Sequence, residues 1–136
     1  MSRKEFSLAV DEVVYFQSYE DKIELVHCPF DKKECVKQLP DINRYFHESH
    51  QGRIDKDYFK AIEALKHAFD ITYDIQECTC ANCAELFRST IVSSMKIIHS
   101  ELKDLTSGWF RNKRYVPAYE MAIKVLKEMN MKMRRS

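Results

Sequence analysis

The chain has 136 residues, of which 45% are apolar and 32% charged, with 12% aromatics and a formal net charge of +1. That is the composition of a globular protein long enough for one domain with a core of its own, so folding requires neither a metal nor disulfides. Only two glycines (Gly52, Gly108) and three prolines (Pro29, Pro40, Pro117) are present, which suits long helices with few sharp turns and excludes a glycine-rich phosphate-cradling loop. The charge is unevenly spread: residues 1–100 carry 13 Lys/Arg against 17 Asp/Glu, residues 101–136 carry 9 against 4. A basic C-terminal third is either a solvated face or a contact surface for an acidic partner or nucleic acid.

Met1–Phe6 has no apolar signal-peptide core, and no apolar run approaches the ~18 residues of a membrane span. The chain is therefore read as cytoplasmic, with reduced thiols and no membrane partner. Ser2 and Glu5 have capping-box spacing, and Phe6, Ala9, Val10, Val13, Phe16 and Glu20 recur at intervals of three or four. They predict a helix over about 3–20, extending at most to Val26. Lys22–His27 is ambiguous, because Ile23-Glu24-Leu25-Val26 suits a short strand equally well.

Pro29 stops what precedes it. Asp31 can cap a short helix carrying Cys35, Val36 and Leu39. Pro40 fits the first turn of another short helix, with Ile42, Tyr45 and Phe46 inward, and His47–Gly52 closes the segment. Residues 27–53 thus read as a short irregular Cys/His-containing insert. Asp55 opens a strong helix with a stripe of Tyr58, Phe59, Ile62, Leu65, Phe69, Thr72 and Tyr73, ending near Glu77. Asn82 and Glu85 form a second capping-box pair at the start of a helix over 82–105, marked by Phe87, Ile91, Ser94, Met95, Ile98, Leu102 and Leu105. Gly108 supplies its left-handed stop. Pro117 opens a basic C-terminal helix over about 117–133, with Tyr119, Ala122, Ile123, Leu126 and Met129 or Met133 inward and a frayed tail from Lys132. Four principal helices with one irregular insert predict an all-α, four-helix bundle-like single domain.

The five cysteines fall in two places. Cys78, Cys80 and Cys83 form a C-x-C-x-x-C run, and Cys28 and Cys35 lie in the insert with His27, His47 and His50. With Asn82 as cap, Cys83 would sit beside free backbone N–H groups at the positive end of a helix dipole, which lowers a thiol pKa and favours metal ligation or nucleophilic attack. A tetrahedral zinc needs four ligands. The cluster offers three, so a structural zinc would recruit Cys28, Cys35, His27 or another histidine such as His99. The plainer reading is a set of half-buried small apolar residues at a helix hairpin. The Cys28–His50 segment has the ligand types of a zinc finger without its spacing.

Trp109-Phe110-Arg111-Asn112-Lys113-Arg114-Tyr115 interleaves three cations with three aromatics. Trp109, Arg111, Lys113 and Arg114 could stack on and neutralise a nucleic acid, or the aromatics could plug the bundle end while the cations face water. No G-x-S-x-G or H-E-x-x-H pattern appears, and Cys83 and His99 on one straight helix would stand ~24 Å apart. The sequence thus points to a small non-enzymatic binding or regulatory module with a cysteine-held zinc. The alternatives are a nucleic-acid-binding protein using residues 109–115 and the C-terminal helix, and a thiol redox sensor at Cys80 and Cys83. A protein, a nucleic acid or a second copy of the chain remain open as partners.

Overall fold

The structure is a computed structural model that describes the backbone of residues 2–7, 13–18, 23–27, 39–74, 81–108 and 112–135, with side chains over 39–73, 84–108 and 112–134. Three strands, β1 (Ser2–Ser7), β2 (Val13–Ser18) and β3 (Ile23–His27), form an antiparallel sheet in chain order. Ser2 pairs with Ser18 and Ser7 with Val13; Ser18 also pairs with Ile23, and the ladder to β3 shifts register between Tyr15 and Phe16. Strands at 2–7 and 13–18 stand where a helix over 3–20 was expected, and the ambiguous stretch forms a strand over Ile23–His27. The competing signal was composition. Val13-Val14-Tyr15-Phe16 is a run of β-branched and aromatic side chains and Ile23-Glu24-Leu25-Val26 has a β-branched residue at each end; such side chains lose rotamer freedom in a helix and pack well on a pleated surface.

Among the described residues four helices follow and pack into an all-α bundle: α1 (Leu39–Ile54), α2 (Tyr58–Asp74), α3 (Ala81–Thr106) and α4 (Val116–Arg135). A single 3-10 turn, Lys113–Tyr115, leads into α4. The four are not the four expected. Residues 39–54 of the anticipated insert form a regular sixteen-residue helix, which takes the place vacated by the N-terminal segment. Pro40 stands in its first turn, where its missing N–H costs nothing, and Ile42 and Phe46 are buried while Tyr45 packs on the core's edge.

Cross-helix pairs fix the arrangement. Tyr45 stacks on His67 with ring centres 5.2 Å apart, and Gly52 abuts Ala61, so α1 and α2 are antiparallel. Arg88 bonds Thr72 while Tyr58 bonds Glu101, so α2 and α3 are antiparallel. His99 lies 5.3 Å from Tyr119 across α3 and α4. Tyr58 meets Tyr115 and Asp70 meets Lys132, so α2 and α4 run parallel. The α1–α2 turn and the α3–α4 connection therefore share one end of the bundle, here the upper end. The start of α1, the α2–α3 junction and the end of α4 share the lower end.

α2 lies at the centre, against all three other helices. The predicted stripe is buried at Tyr58, Ile62, Leu65, Phe69 and Thr72, and it continues through Phe87, Ile91, Met95, Ile98 and Leu102 of α3 into one contiguous core. Phe59 departs from its expected place and faces out, 47% exposed. The α1–α2 turn is a Schellman closure: Asp57 N–H donates to the Gly52 carbonyl at 2.8 Å and Lys56 N–H to that of Arg53 at 3.2 Å. Lys56 takes the left-handed position, φ +62°, where glycine is usual. Gly108 closes α3 as expected, at φ +80°. α4 is helical to Arg135, with no frayed tail from Lys132. Its buried stripe is Ala118, Ala122, Val125 and Met129, rotated from the expected one, so that Ile123 is 44% exposed. Among the described residues no helix is long and apolar enough to cross a membrane.

Candidate functional site

The side of the α3–α4 pair turned away from α2 carries a groove. It begins with helix periodicity: Ser89, Val92, Ser93, Lys96 and His99 share one edge of α3, and Ile123, Leu126, Lys127, Asn130 and Arg134 share the facing edge of α4. Two adjoining hollows lie along the seam. The lower one, about 480 Å³, is lined by Ser89, Val92, Ser93, Lys96, Asn130, Met133 and Arg134. The upper one, about 510 Å³, is lined by His99, Ile123, Leu126, Lys127, Asn130, Met131 and Arg134. They share Asn130 and Arg134, so they form one continuous depression. Among the described residues three cations line it and no carboxylate does. Ser93 Oγ donates back to the Ser89 carbonyl at 2.9 Å, which keeps that wall helical. Ile123 and Met131 stand 44% and 42% exposed at its rim.

A second pocket of about 340 Å³ sits at the upper end, lined by His50, Arg53, Ile54, Lys56, Tyr58, Glu101, Asp104 and Leu105. Here Arg53 grips one oxygen of Glu101 through Nε and Nη2, and the Tyr58 hydroxyl donates to the other at 3.2 Å. Burial, with the Glu101 charge and hydrogen bond behind it, pushes the Tyr58 phenol up to about 12, against the smaller opposing pull of Arg53. Tyr115 meets Tyr58 edge to face at 5.5 Å. The cations and carboxylates of this pocket offset one another, and its hydrogen bonds tie α1, α2 and α3 together. It reads as a structural corner.

At the lower end Arg88 is 4% exposed. It donates through Nε to Thr72 Oγ1 and through Nη2 to the Thr72 carbonyl, both at 3.1 Å, with its guanidinium 3.9 Å from the Tyr73 ring centre. Desolvation lowers its pKa, against the smaller opposing effects of Tyr73 and Glu85. Sequence inspection overlooked it, although Arg88 falls in phase with Ala84, Ile91 and Met95 on the buried stripe, which is the one signal that could have found it.

Of the residues singled out by sequence, Cys28, Cys35, Cys78 and Cys80 lie outside the described residues, as do Trp109 and Arg111, while His27 is the last residue of β3, with its side chain outside those described. Cys83 belongs to the first turn of α3, with its side chain outside those described. That helix begins at Ala81, so Asn82 stands inside the first turn and does not cap it. His47 and His50 lie within α1, exposed and half-buried respectively, so they stand inside a helix longer than the short one expected to close at His47–Gly52. Lys113 and Arg114 are exposed on the 3-10 turn, which Asn112 holds by accepting from the Arg114 N–H at 3.1 Å. No group of three or more metal-ligating side chains occurs among the described residues.

The fold and groove define a small helical bundle with a cationic surface seam. No family model matches the chain, and neither a curated protein nor a solved structure matches it.

Proposed function

We propose that the chain is a small non-enzymatic binding or regulatory module that presents the α3–α4 seam to an acidic partner. The observation that carries this reading is the groove lining: Lys96, Lys127 and Arg134 with no acidic residue among the described lining residues, beside exposed Ile123 and Met131. Such a surface attracts negative charge and offers apolar area to cover. The test is titration of ¹⁵N-labelled protein with poly-glutamate. Amide shifts concentrated at residues 89–99 and 123–134, abolished by combined Lys96→Glu, Lys127→Glu and Arg134→Glu, support it. Shifts confined to Lys113 and Arg114 count against it and favour the nucleic-acid reading, which the exposure of those two cations supports.

A structural zinc held by four of Cys28, Cys35, Cys78, Cys80 and Cys83 accompanies this reading as a proposal. Chain connectivity supports it. The start of α1, four residues after Cys35, and the α2–α3 junction that contains Cys78 and Cys80 are at the same end of the bundle. Elemental analysis of protein purified without chelator tests it: one zinc per chain with four protected thiols is expected, and five freely titrating thiols refute it. The thiol redox reading at Cys80 and Cys83 requires a lowered Cys83 pKa; an alkylation rate typical of a free cysteine (pKa about 8.5) removes it.

A further inference from the structure

We infer that the occupant of the α3–α4 groove is an acidic amphipathic helix of about three turns, lying along the seam; the inference rests on the binding role proposed above. The dimensions match. Ser89 to His99 spans about 15 Å of α3 and Ile123 to Arg134 about 16 Å of α4, the length of three helical turns. The chemistry is graded along that length. Toward the lower end the walls supply donors from Ser89, Lys96, Asn130 and Arg134. Toward the middle they supply Ile123, Leu126 and Met131. An amphipathic helix meets both demands at once, placing an apolar stripe at i, i+4 and i+7 into the seam with carboxylates on its flanks toward Lys96, Lys127 and Arg134. Met131 and Met133 give walls that adapt to different apolar side chains.

A nucleic acid fits less well. Among the described residues no Phe, Tyr or Trp lines the groove to stack on bases, and the His99 ring is already engaged by Tyr119. The same absence of carboxylates that admits a helix rich in Glu and Asp disfavours a basic one.

The experiment uses the full chain and a fluorescein-labelled, lactam-locked helical peptide of about 14 residues, with leucines at i, i+4 and i+7 and glutamates flanking them. A peptide of identical composition with the leucines scrambled, and a single-stranded DNA of about 15 nucleotides, serve as comparisons. The locked helix is expected to bind at least about tenfold more tightly than the scrambled peptide, and to lose at least about tenfold with combined Lys96→Glu, Lys127→Glu and Arg134→Glu. All three positions are exposed, so the variant keeps the native circular-dichroism spectrum. If the scrambled peptide binds equally, or the DNA binds more tightly at the same residues, the helix inference fails while the acidic-partner reading stands. A dimer in sedimentation that this variant dissolves also overturns the inference, because a second copy then occupies the seam. If no anionic probe perturbs α3 or α4, both fall.

Discussion

Arg88 should be a clasp between α2 and α3 that stabilises the lower end despite the cost of burying a charge. The substitution that tests this is Arg88→Met, which keeps the apolar stem and removes the guanidinium. Lost are two hydrogen bonds from a charged donor to Thr72, at 3.1 Å each, and the stacking over Tyr73 at 3.9 Å. Bonds of that kind contribute about 1.5–3 kcal/mol each, and a desolvated cation–π contact about 2 kcal/mol. Against this stands the desolvation of a 4%-exposed guanidinium, several kcal/mol by itself. Part of it is offset by position, since the Thr72 carbonyl belongs to the last turn of α2, the negative end of that helix dipole.

The balance predicts a net loss of about 2 kcal/mol for Arg88→Met, roughly a thirtyfold fall in the folding constant. Urea unfolding followed by circular dichroism measures it, with the transition checked for two-state behaviour. Thr72→Val closes a double-mutant cycle around the Nε–Oγ1 bond. The expected coupling is about 1 kcal/mol, because the valine removes the hydroxyl and leaves the carbonyl bond in place. A coupling indistinguishable from zero, or an Arg88→Met protein more stable than the parent, would show that desolvation dominates and refute the reasoning.

Two further outcomes follow from the upper end. The Tyr58 phenol titrates at about 12 in the folded chain against 10.0 when free, so the folded state holds the proton longer than the unfolded one. Its contribution is fully present below pH 10 and is lost as pH rises toward 12, by up to about 3 kcal/mol. Urea unfolding across that window should show a steeper alkaline decline in the parent than in Tyr58→Phe, and parallel declines contradict the assignment. In the α1–α2 hairpin, a Cβ at Gly52 would lie 2.9 Å from both the Ala61 nitrogen and the Asp57 carbonyl oxygen. Crowding costs about 1–3 kcal/mol and outweighs the gain of about 1 kcal/mol from alanine's helix propensity, so Gly52→Ala lowers stability. Lys56→Gly should raise it by up to about 1 kcal/mol by relieving the left-handed backbone. Melting temperatures moving in opposite directions for these two variants are the expected signature, and a stabilised Gly52→Ala protein argues against the close approach.

The legibility of the fold divides at residue 55. From there on, apolar spacing locates α2, α3 and α4 within a few residues, because long stripes at helical intervals leave little competition. Before it, the same rule misleads. Val13-Val14-Tyr15-Phe16 satisfies a helical period and a strand composition together, and strand pairing with β1 and β3 decides the outcome. Residues 39–54 mislead in the opposite direction: Pro40 at the start, His47 and His50 further along, and Cys28 and Cys35 ahead of the segment suggest irregularity, yet Pro40 in a first turn is compatible with a full helix. The candidate site was only half visible. The excess of cations after residue 100 is plain from composition, but the expected contact was the 109–115 connection with the C-terminal helix, and neither Lys96 nor the seam with α3 was anticipated.

The groove exists because α4 has more apolar side chains than its neighbours can cover. Ala118, Ala122, Val125 and Met129 meet the core, and three of these contacts use small or β-branched side chains that let α4 approach closely. Tyr119, Leu126 and Met133 pack at the edge of that interface, and Ile123 and Met131 have no place within it. Had the stripe been rotated as its spacing first suggests, Ile123 would be buried and the seam would lose its apolar rim. A helix evolved only to close a bundle gains nothing from exposed Ile123 and Met131 beside Lys127 and Arg134. Their exposed apolar area would contribute stability only if another apolar surface covered it. Replacing Ile123 and Met131 together by Gln should therefore leave the unfolding free energy of the isolated chain within about 0.5 kcal/mol of the parent while weakening capture of the locked acidic helix. A large loss of intrinsic stability would instead assign these side chains to the core and remove the rim from the groove.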